Sequence, residues 1–170
     1  MNEVVTKENI KIEDMIYEIR GKQVMLDSDL ARIYETETKR INEAVYRNTE
    51  KFPERFSWIL DDSDIEILRS QIATSNLNEH GSRGYNIRVF TEEGVLLLAT
   101  ILKTKVATEV SIKIINAFVA VRKYISYNLL EQKYINNLVL EHDKRIKALE
   151  DSLKKLIKKR NLINKIEEDK

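Results

Sequence analysis

The sequence predicts an α+β fold: a small sheet with packed helices, including a helix-turn-helix-like pair, followed by a long C-terminal coiled-coil helix. Three patterns predict this fold. Apolar residues alternate on both sides of Gly21, two short amphipathic segments lie between Leu26 and Pro53, and neither glycine nor proline occurs after Gly94. These patterns divide the chain into a flexible N-terminal arm at 1–14, a domain at 15–124 and the coiled-coil helix at 125–170.

The composition is that of a globular protein without a strong electrostatic field. The chain has 170 residues, 42% of them hydrophobic, which is enough for one domain with its own core. Its 29 Lys and Arg residues nearly balance 28 Asp and Glu residues, so the net charge is +1. Any affinity for nucleic acid must therefore come from a local patch.

The chain has no cysteine, which excludes disulfides, thiolate metal sites and cysteine nucleophiles. The N-terminal residues have no apolar signal core, and no stretch approaches the roughly 18 apolar residues of a membrane span. We expect a cytoplasmic protein that makes no contact with a membrane.

The first elements after the arm are two strands and two helices. Residues 15–20 and 22–26 alternate about Gly21 as in a β-hairpin. A helix of about two turns follows Leu26, and Asp27 or Ser28 can accept hydrogen bonds from its free amides. After a polar turn, a second helix runs to about Lys51 and ends before Pro53.

The second helix has an apolar stripe and a polar outward face. Ile41, Ala44, Val45 and Phe52 form the stripe, and the outward face contains Lys39, Arg40, Asn42, Tyr46, Arg47 and Asn48. In a helix-turn-helix docked on DNA, the bases would lie nearest to Thr38, Lys39, Arg40 and Asn42, and the phosphates nearer to Arg47 and Lys51. A plain packing unit with a charged surface has the same pattern, and Glu43 and Glu50 dilute the positive charge.

The middle of the chain predicts a strand, a helix and a loop. Phe56, Trp58 and Leu60 alternate as in a strand, and the acidic Asp61, Asp62 and Asp64 follow. These carboxylates could bind a metal, but they precede helical spacing to about Ile72, which favours a helix N-terminal cap. Residues 73–86 read as a polar loop whose glycines lack the Lys-Ser/Thr pair of a phosphate loop.

Basic and aromatic residues follow in and beside this loop. Arg83, Tyr85 and Arg88 could straddle a DNA backbone or enter a minor groove, or could form a solvated hairpin tip. The chain returns as a strand at 86–90. Thr91 then caps a strongly apolar helix that we expect to form the core of the domain.

From about Ala107 a helix without a breaker extends to the C-terminus. Apolar residues from Ile135 onward recur in alternating steps of four and three, which predicts a parallel two-stranded coiled coil with Arg145 and Glu150 as a pair between chains. A helix that packs back on its own domain is the alternative. The predicted dimerisation residues are Ile135, Val139, His142, Ile146, Leu149, Leu153, Leu156 and Ile163.

Four blocks of the sequence resemble a known family. They are IRGKQVMLDSDLARIY (19–34), TKRINEAVYRNTEKFPERFSWIL (38–60), LRSQIATS (68–75) and VFTEEGVLLLATILKTKVATEVSIKIINAFVAVR (89–122). In this order they resemble the KilA-N/Bro-N superfamily, specifically the Orf-six N-terminal family of phage and prophage antirepressor-like proteins. The resemblance implies DNA binding without catalysis. Glu35 stands where the family usually has a small turn residue, so we expect the turn between the two helices to be rebuilt.

Catalytic and metal sites are not predicted. The two histidines, His80 and His142, lie in different elements, and neither belongs to a metal-ligand motif. No nucleophile motif is present, so we expect neither an enzyme nor a cofactor. The family resemblance, together with the heptad spacing, implies a DNA-binding homodimer of the antirepressor or transcriptional-regulator type. The alternative is a protein interaction module that binds another regulator without contacting DNA.

Overall fold

The computed structural model describes residues 11–72 and 86–169. Within them the α+β prediction is confirmed. The strands are β1 (Tyr17–Ile19), β2 (Lys22–Leu26), β3 (Ser57–Ile59) and β4 (Arg88–Phe90), and the helices are α1 (Asp27–Ile33), α2 (Thr38–Tyr46), α3 (Asp62–Gln71), α4 (Glu92–Leu102) and α5 (Lys105–Glu168). Short 3-10 helices occupy Ile12–Met15 and Thr49–Lys51, so the last residues of the predicted arm have a defined structure.

The four strands form an antiparallel sheet in the order β1-β2-β4-β3. The predicted hairpin about Gly21 is present. Its two turn residues, Arg20 and Gly21, both have positive φ, +54° and +69°, which is the geometry of the tight turns that match strand twist. The predicted strand at 86–90 spans Arg88–Phe90, and it lies between β2 and β3.

Apolar side chains cover both faces of the sheet. Because successive strand residues point to opposite faces, Met25 and Phe90 pack on one side and Val24 and Val89 on the other. The first side is covered by α1, α2, α4 and the start of α5 through Leu30, Ile41, Val45, Val95, Leu98, Ile114 and Phe118. The second side is covered by α3, whose Leu68 packs near Trp58.

The turn between α1 and α2 keeps the geometry that a small residue would favour. Glu35 has φ +53°, so the expectation of a rebuilt turn is wrong. The second helix is shorter than predicted. It ends at Tyr46, and a 3-10 turn at Thr49–Lys51 continues toward Pro53, because the Asn48 side chain donates to the Ala44 carbonyl at 2.9 Å and ends the regular helix.

Local hydrogen bonds define the starts of α3 and α4. The Asp61 carboxylate accepts from the Asp64 amide at 2.9 Å, and the Asp61 amide donates to the Asp64 carboxylate at 3.2 Å. The predicted N-terminal cap of α3 is therefore confirmed, in the form of a capping box. Thr91 caps α4 by accepting from the Gly94 amide at 3.3 Å. A Cβ at position 94 would lie 2.3 Å from the carbonyl oxygen of Phe56, the residue before β3. The backbone approaches so closely here that only glycine fits at position 94.

The outer edge of β1 is covered by a side chain. The Gln71 amide group donates to the Glu18 carbonyl and accepts from the Glu18 amide, both at 2.8 Å. Glu18 is the middle residue of β1, and β1 is an edge strand. Gln71 therefore takes the place that a neighbouring strand would occupy.

Helix α5 extends over 64 residues from Lys105 to Glu168, and its first part belongs to the domain core. The chain divides into two compact units, 1–123 and 124–170. In the second unit, the described residues from Tyr127 onward are all exposed. None of the described helices is long and apolar enough to cross a bilayer.

Candidate nucleic-acid interface

Helix α2 is anchored on one side and exposed on the other. Ile41 and Val45, four residues apart, are buried in the core shared with α1 and α4. Lys39, Arg40 and Arg47 are exposed, and the Tyr46 side chain is 82% exposed although it is aromatic. The second helix of the helix-turn-helix-like pair thus presents three cations and an aromatic ring to solvent.

Acidic residues interrupt this basic surface. The ammonium of Lys39 lies 3.9 Å from the carboxylate of Glu43, one helical turn away. Both side chains are at least half exposed, and such surface pairs contribute little to stability and break easily. The Lys39 ammonium can therefore exchange Glu43 for another hydrogen-bond acceptor with little loss of stability.

Two residues predicted on the outward face of α2 are turned inward instead. Asn42 is half-buried, and its amide donates to the Asp27 carboxylate at 2.8 Å and to the Thr38 carbonyl at 3.2 Å. Asn48 is half-buried and donates to its own helix. The prediction that these two amides lie on the outward face is wrong, because both are used to complete the local fold. Thr38 is half-buried, whereas Lys51 is exposed in the 3-10 turn.

Asp27 joins three elements below α2. Its buried carboxylate accepts from the Ser28 amide at 2.9 Å, from Asn42 at 2.8 Å and from the backbone amide of Arg88 at 3.3 Å. Burial raises the pKa of Asp27, and the hydrogen bond from Asn42 opposes this shift. The sequence suggested only a capping role for Asp27, since the distant Asn42 and Arg88 are not recognisable as its partners.

Arg88 lies in β4 and not at a loop tip. Its side chain is half-buried and donates to the Ser57 hydroxyl at 3.2 Å. Burial lowers the pKa of Arg88, and the nearby Asp27 carboxylate opposes this effect. Arg83 and Tyr85, which the sequence placed beside it, lie outside the described residues.

A second charged cluster stabilises the domain away from α2. Arg20 in the hairpin turn binds Asp64 through two hydrogen bonds, of 3.1 and 2.8 Å, and also contacts Asp61 and Glu54. Its guanidinium lies over the Trp58 ring at 5.4 Å. All the acids here are already bound to Arg20, so this cluster is better described as a structural clamp than as a binding site.

The predicted dimerisation residues all belong to the second unit. Its apolar members are between 45% and 70% exposed in the single chain, and His142 is exposed as well. All of them lie on one unbroken helix. The first unit has its own buried core and does not include them.

A small antiparallel sheet that supports a helix-turn-helix-like pair defines a candidate regulatory domain. The chain belongs to the ORF6N domain family, whose model matches residues 14–101, about half of the chain. This family is part of the KilA-N/Bro-N-like phage group, so the resemblance found in the sequence is confirmed, and membership indicates a phage-type regulatory domain. No curated protein and no solved structure matches the chain.

Proposed function

We propose that this chain is a duplex DNA-binding regulator of the phage or prophage antirepressor or transcriptional-regulator type. The observation that carries this proposal is the exposed side of α2, where Lys39, Arg40 and Arg47 stand opposite the buried Ile41 and Val45. Membership of the ORF6N domain family supports a regulatory role. The proposed activity is binding alone and needs no catalysis or cofactor.

The proposed docking places the N-terminal half of α2 in the major groove. In this arrangement Lys39 and Arg40 lie nearest the base edges, while Arg47 and Lys51 lie nearer the phosphates. Asn42 and Asp27 act indirectly, since their hydrogen bond fixes α2 against α1. A rigid anchor of this kind lowers the conformational cost of binding.

The second part of the proposal is a homodimer formed through the C-terminal helix. Two copies would present two α2 helices to two half-sites, and each phosphate contact would release counterions. Affinity should therefore fall steeply as salt rises. The support is the heptad spacing of exposed apolar residues from Ile135 to Ile163.

One observation favours a different function. Glu43 pairs with Lys39 on the proposed DNA face, and the net charge of the whole chain is only +1. A surface of mixed charge with an exposed tyrosine also suits a protein partner, as in an antirepressor that binds another regulator. This is the second candidate function, and the same experiment distinguishes it.

The test measures binding of the purified full chain to labelled duplex DNA fragments over a salt series. The K39A/R40A variant removes the two cations proposed to lie nearest the bases. The K105A/K113A variant is the matched control, because it removes two exposed lysines of α5. We expect wild type and control to bind with the same affinity and salt dependence, and K39A/R40A to bind a selected fragment at least about tenfold more weakly, because each lost base contact costs about 1–3 kcal/mol.

Two results would overturn the proposal. Absence of wild-type binding at the lowest salt would favour the protein-partner function, and an equal loss in both variants would remove α2 as the contact surface. A single Arg40→Ala variant refines the assignment. If Arg40 contacts a base, it should weaken binding to a selected fragment more than binding to random-sequence duplex.

A further inference from the structure

The helix of the second unit has a second row of regularly spaced side chains upstream of the predicted seam. We call it the upstream ladder; it consists of Tyr124, Tyr127, Glu131, Tyr134 and Leu138, in alternating steps of three and four. Its three tyrosines are between 65% and 68% exposed. Three exposed aromatic rings within eleven residues are unusual for a solvated helix, because each ring leaves a large apolar area in water.

The downstream ladder is the predicted seam from Ile135 to Ile163. If its seven-residue repeat is continued toward the N-terminus, the next two positions fall on Gln132 and Asn128. These are polar residues, which are poor core residues for a coiled coil. The downstream ladder alone would therefore end near Ile135.

The two ladders are offset by one residue and join without a break. The joining positions are Tyr134, Leu138, His142 and Ile146, in three successive steps of four. In a straight α-helix a strict seven-residue repeat drifts by about 20° per heptad, and successive steps of four turn the ladder in the opposite direction, which keeps both ladders on the same side. Helix α5 is continuous through this region, and both ladders therefore lie along one side of it.

We propose that a second copy of this chain covers both ladders, in parallel and in register, so that the contact extends from Tyr124 to Ile163 and changes ladder between Leu138 and Ile146. The inference rests on the proposed homodimer and extends it by naming the upstream surface. It assigns the exposed tyrosines to the dimer contact and leaves Asn128 and Gln132 outside it.

The flanking residues favour the parallel arrangement. In a parallel pair, residues five apart face each other across the contact, which matches Arg145 with Glu150 and Leu130 with Ile135. In the antiparallel register that aligns the same apolar layers, Glu150 would face Glu150 of the other copy, and Arg145 would face Lys159. Like charges in these positions repel.

Single-cysteine variants of the full chain test the inference, because the natural chain has no cysteine. Tyr127→Cys and Tyr134→Cys report the upstream ladder, and Asn128→Cys and Gln132→Cys report the continued downstream repeat. Ile146→Cys reports the dimer itself, and Lys144→Cys is the control on the outer side of the helix. Each variant is oxidised mildly and the fraction of linked dimer is followed with time.

We expect the variants at Tyr127, Tyr134 and Ile146 to link at least about tenfold faster than those at Asn128, Gln132 and Lys144, because a disulfide forms only where the Cα atoms approach within about 7 Å. Linking at Ile146 without linking at Tyr127 and Tyr134 would overturn the inference and leave the dimer standing. Faster linking at Asn128 and Gln132 would also overturn it. No linking at Ile146 would overturn the dimer and the inference together.

Discussion

The hydrogen bond between Asn42 and Asp27 is partly buried, and it determines the position of the exposed side of α2. The carboxylate of Asp27 is almost fully removed from solvent, yet it accepts three hydrogen bonds from three different elements. A buried carboxylate is tolerated only when its lone pairs are used in this way. The contact with Asn42 therefore sets where α2 stands relative to α1.

We predict that Asn42→Ala lowers the free energy of unfolding by about 1.5–3 kcal/mol, because it removes a hydrogen bond to a charged, buried group. Urea unfolding followed by circular dichroism measures the change. Lys39→Ala in the same helix is the control and should change stability by less than about 0.5 kcal/mol. Equal effects of the two substitutions would show that the Asp27 contact adds nothing to stability.

Sequence patterns predicted the exposure of the basic side chains of α2 better than that of its asparagine side chains. Lys39, Arg40 and Arg47 could be placed outside because long charged side chains are seldom buried. An asparagine at the margin of an apolar stripe can face either way. The choice for Asn42 depends on Asp27, fifteen residues earlier in the chain, and helical periodicity does not reveal that partner.

Elements were predictable wherever a few neighbouring residues decide the geometry. The hairpin about Gly21 and the capped helix starts at Asp61 and Thr91 depend on local hydrogen bonds and backbone angles, and they occur where the sequence indicated. The sequence predicted that α2 would end about five residues later than it does. Proline at position 53 excludes a helix beyond it but does not fix the last residue, and Asn48 ends the helix earlier.

The turn between α1 and α2 contains stored backbone strain. Glu35 adopts φ +53°, and an L-residue with a Cβ pays about 1–2 kcal/mol for that conformation. We predict that the free energy of unfolding of Glu35→Gly is about 1 kcal/mol higher than that of Glu35→Ala. Urea titration of both variants measures the difference. The alanine variant is the control, since it loses the carboxylate but keeps the strain.

If the glycine and alanine variants are equally stable, position 35 does not keep its positive φ in solution. If alanine is the more stable of the two, the greater freedom of glycine in the unfolded chain outweighs the strain. Either result would contradict the prediction.

At the scale of the whole molecule, Arg20 connects parts of the chain that are far apart in sequence. From the hairpin turn it reaches the start of α3 and covers Trp58. Composition and periodicity did not predict this connection, nor the insertion of β4 between β2 and β3, because both depend on contacts over more than thirty residues. The sequence predicted which elements form but not how these strands are ordered.

The clamp at Arg20 predicts how stability depends on pH. Burial opposes ionisation of Asp64, but the hydrogen bonds from Arg20 and from the Asp61 amide, together with the positive charge of Arg20, outweigh it and lower the pKa of Asp64 below its ordinary value of 3.8. The ionised carboxylate therefore stabilises the fold above that pH, and this contribution is lost as the pH falls below 3.8. The contribution of Asp27 to stability changes in the opposite direction as the pH falls, because its raised pKa favours the protonated folded form in acid.

We predict that Asp64→Asn lowers the free energy of unfolding at pH 7 by about 1–3 kcal/mol and makes it fall less steeply than in wild type as the pH drops below 3.8. Thermal unfolding at a series of pH values measures both effects. The control is Asp62→Asn, which replaces an exposed carboxylate in the same turn and should keep the wild-type slope. A wild-type slope in Asp64→Asn would contradict the prediction.

The amide of Gln71 determines which kinds of assembly the sheet permits. Because it occupies both backbone groups of Glu18, a strand from another molecule cannot extend the sheet at β1 without first displacing that side chain. This protects the β1 edge of the sheet against edge-to-edge aggregation. A partner that adds a strand to this sheet would therefore have to displace Gln71 at β1 or use the other edge strand, β3.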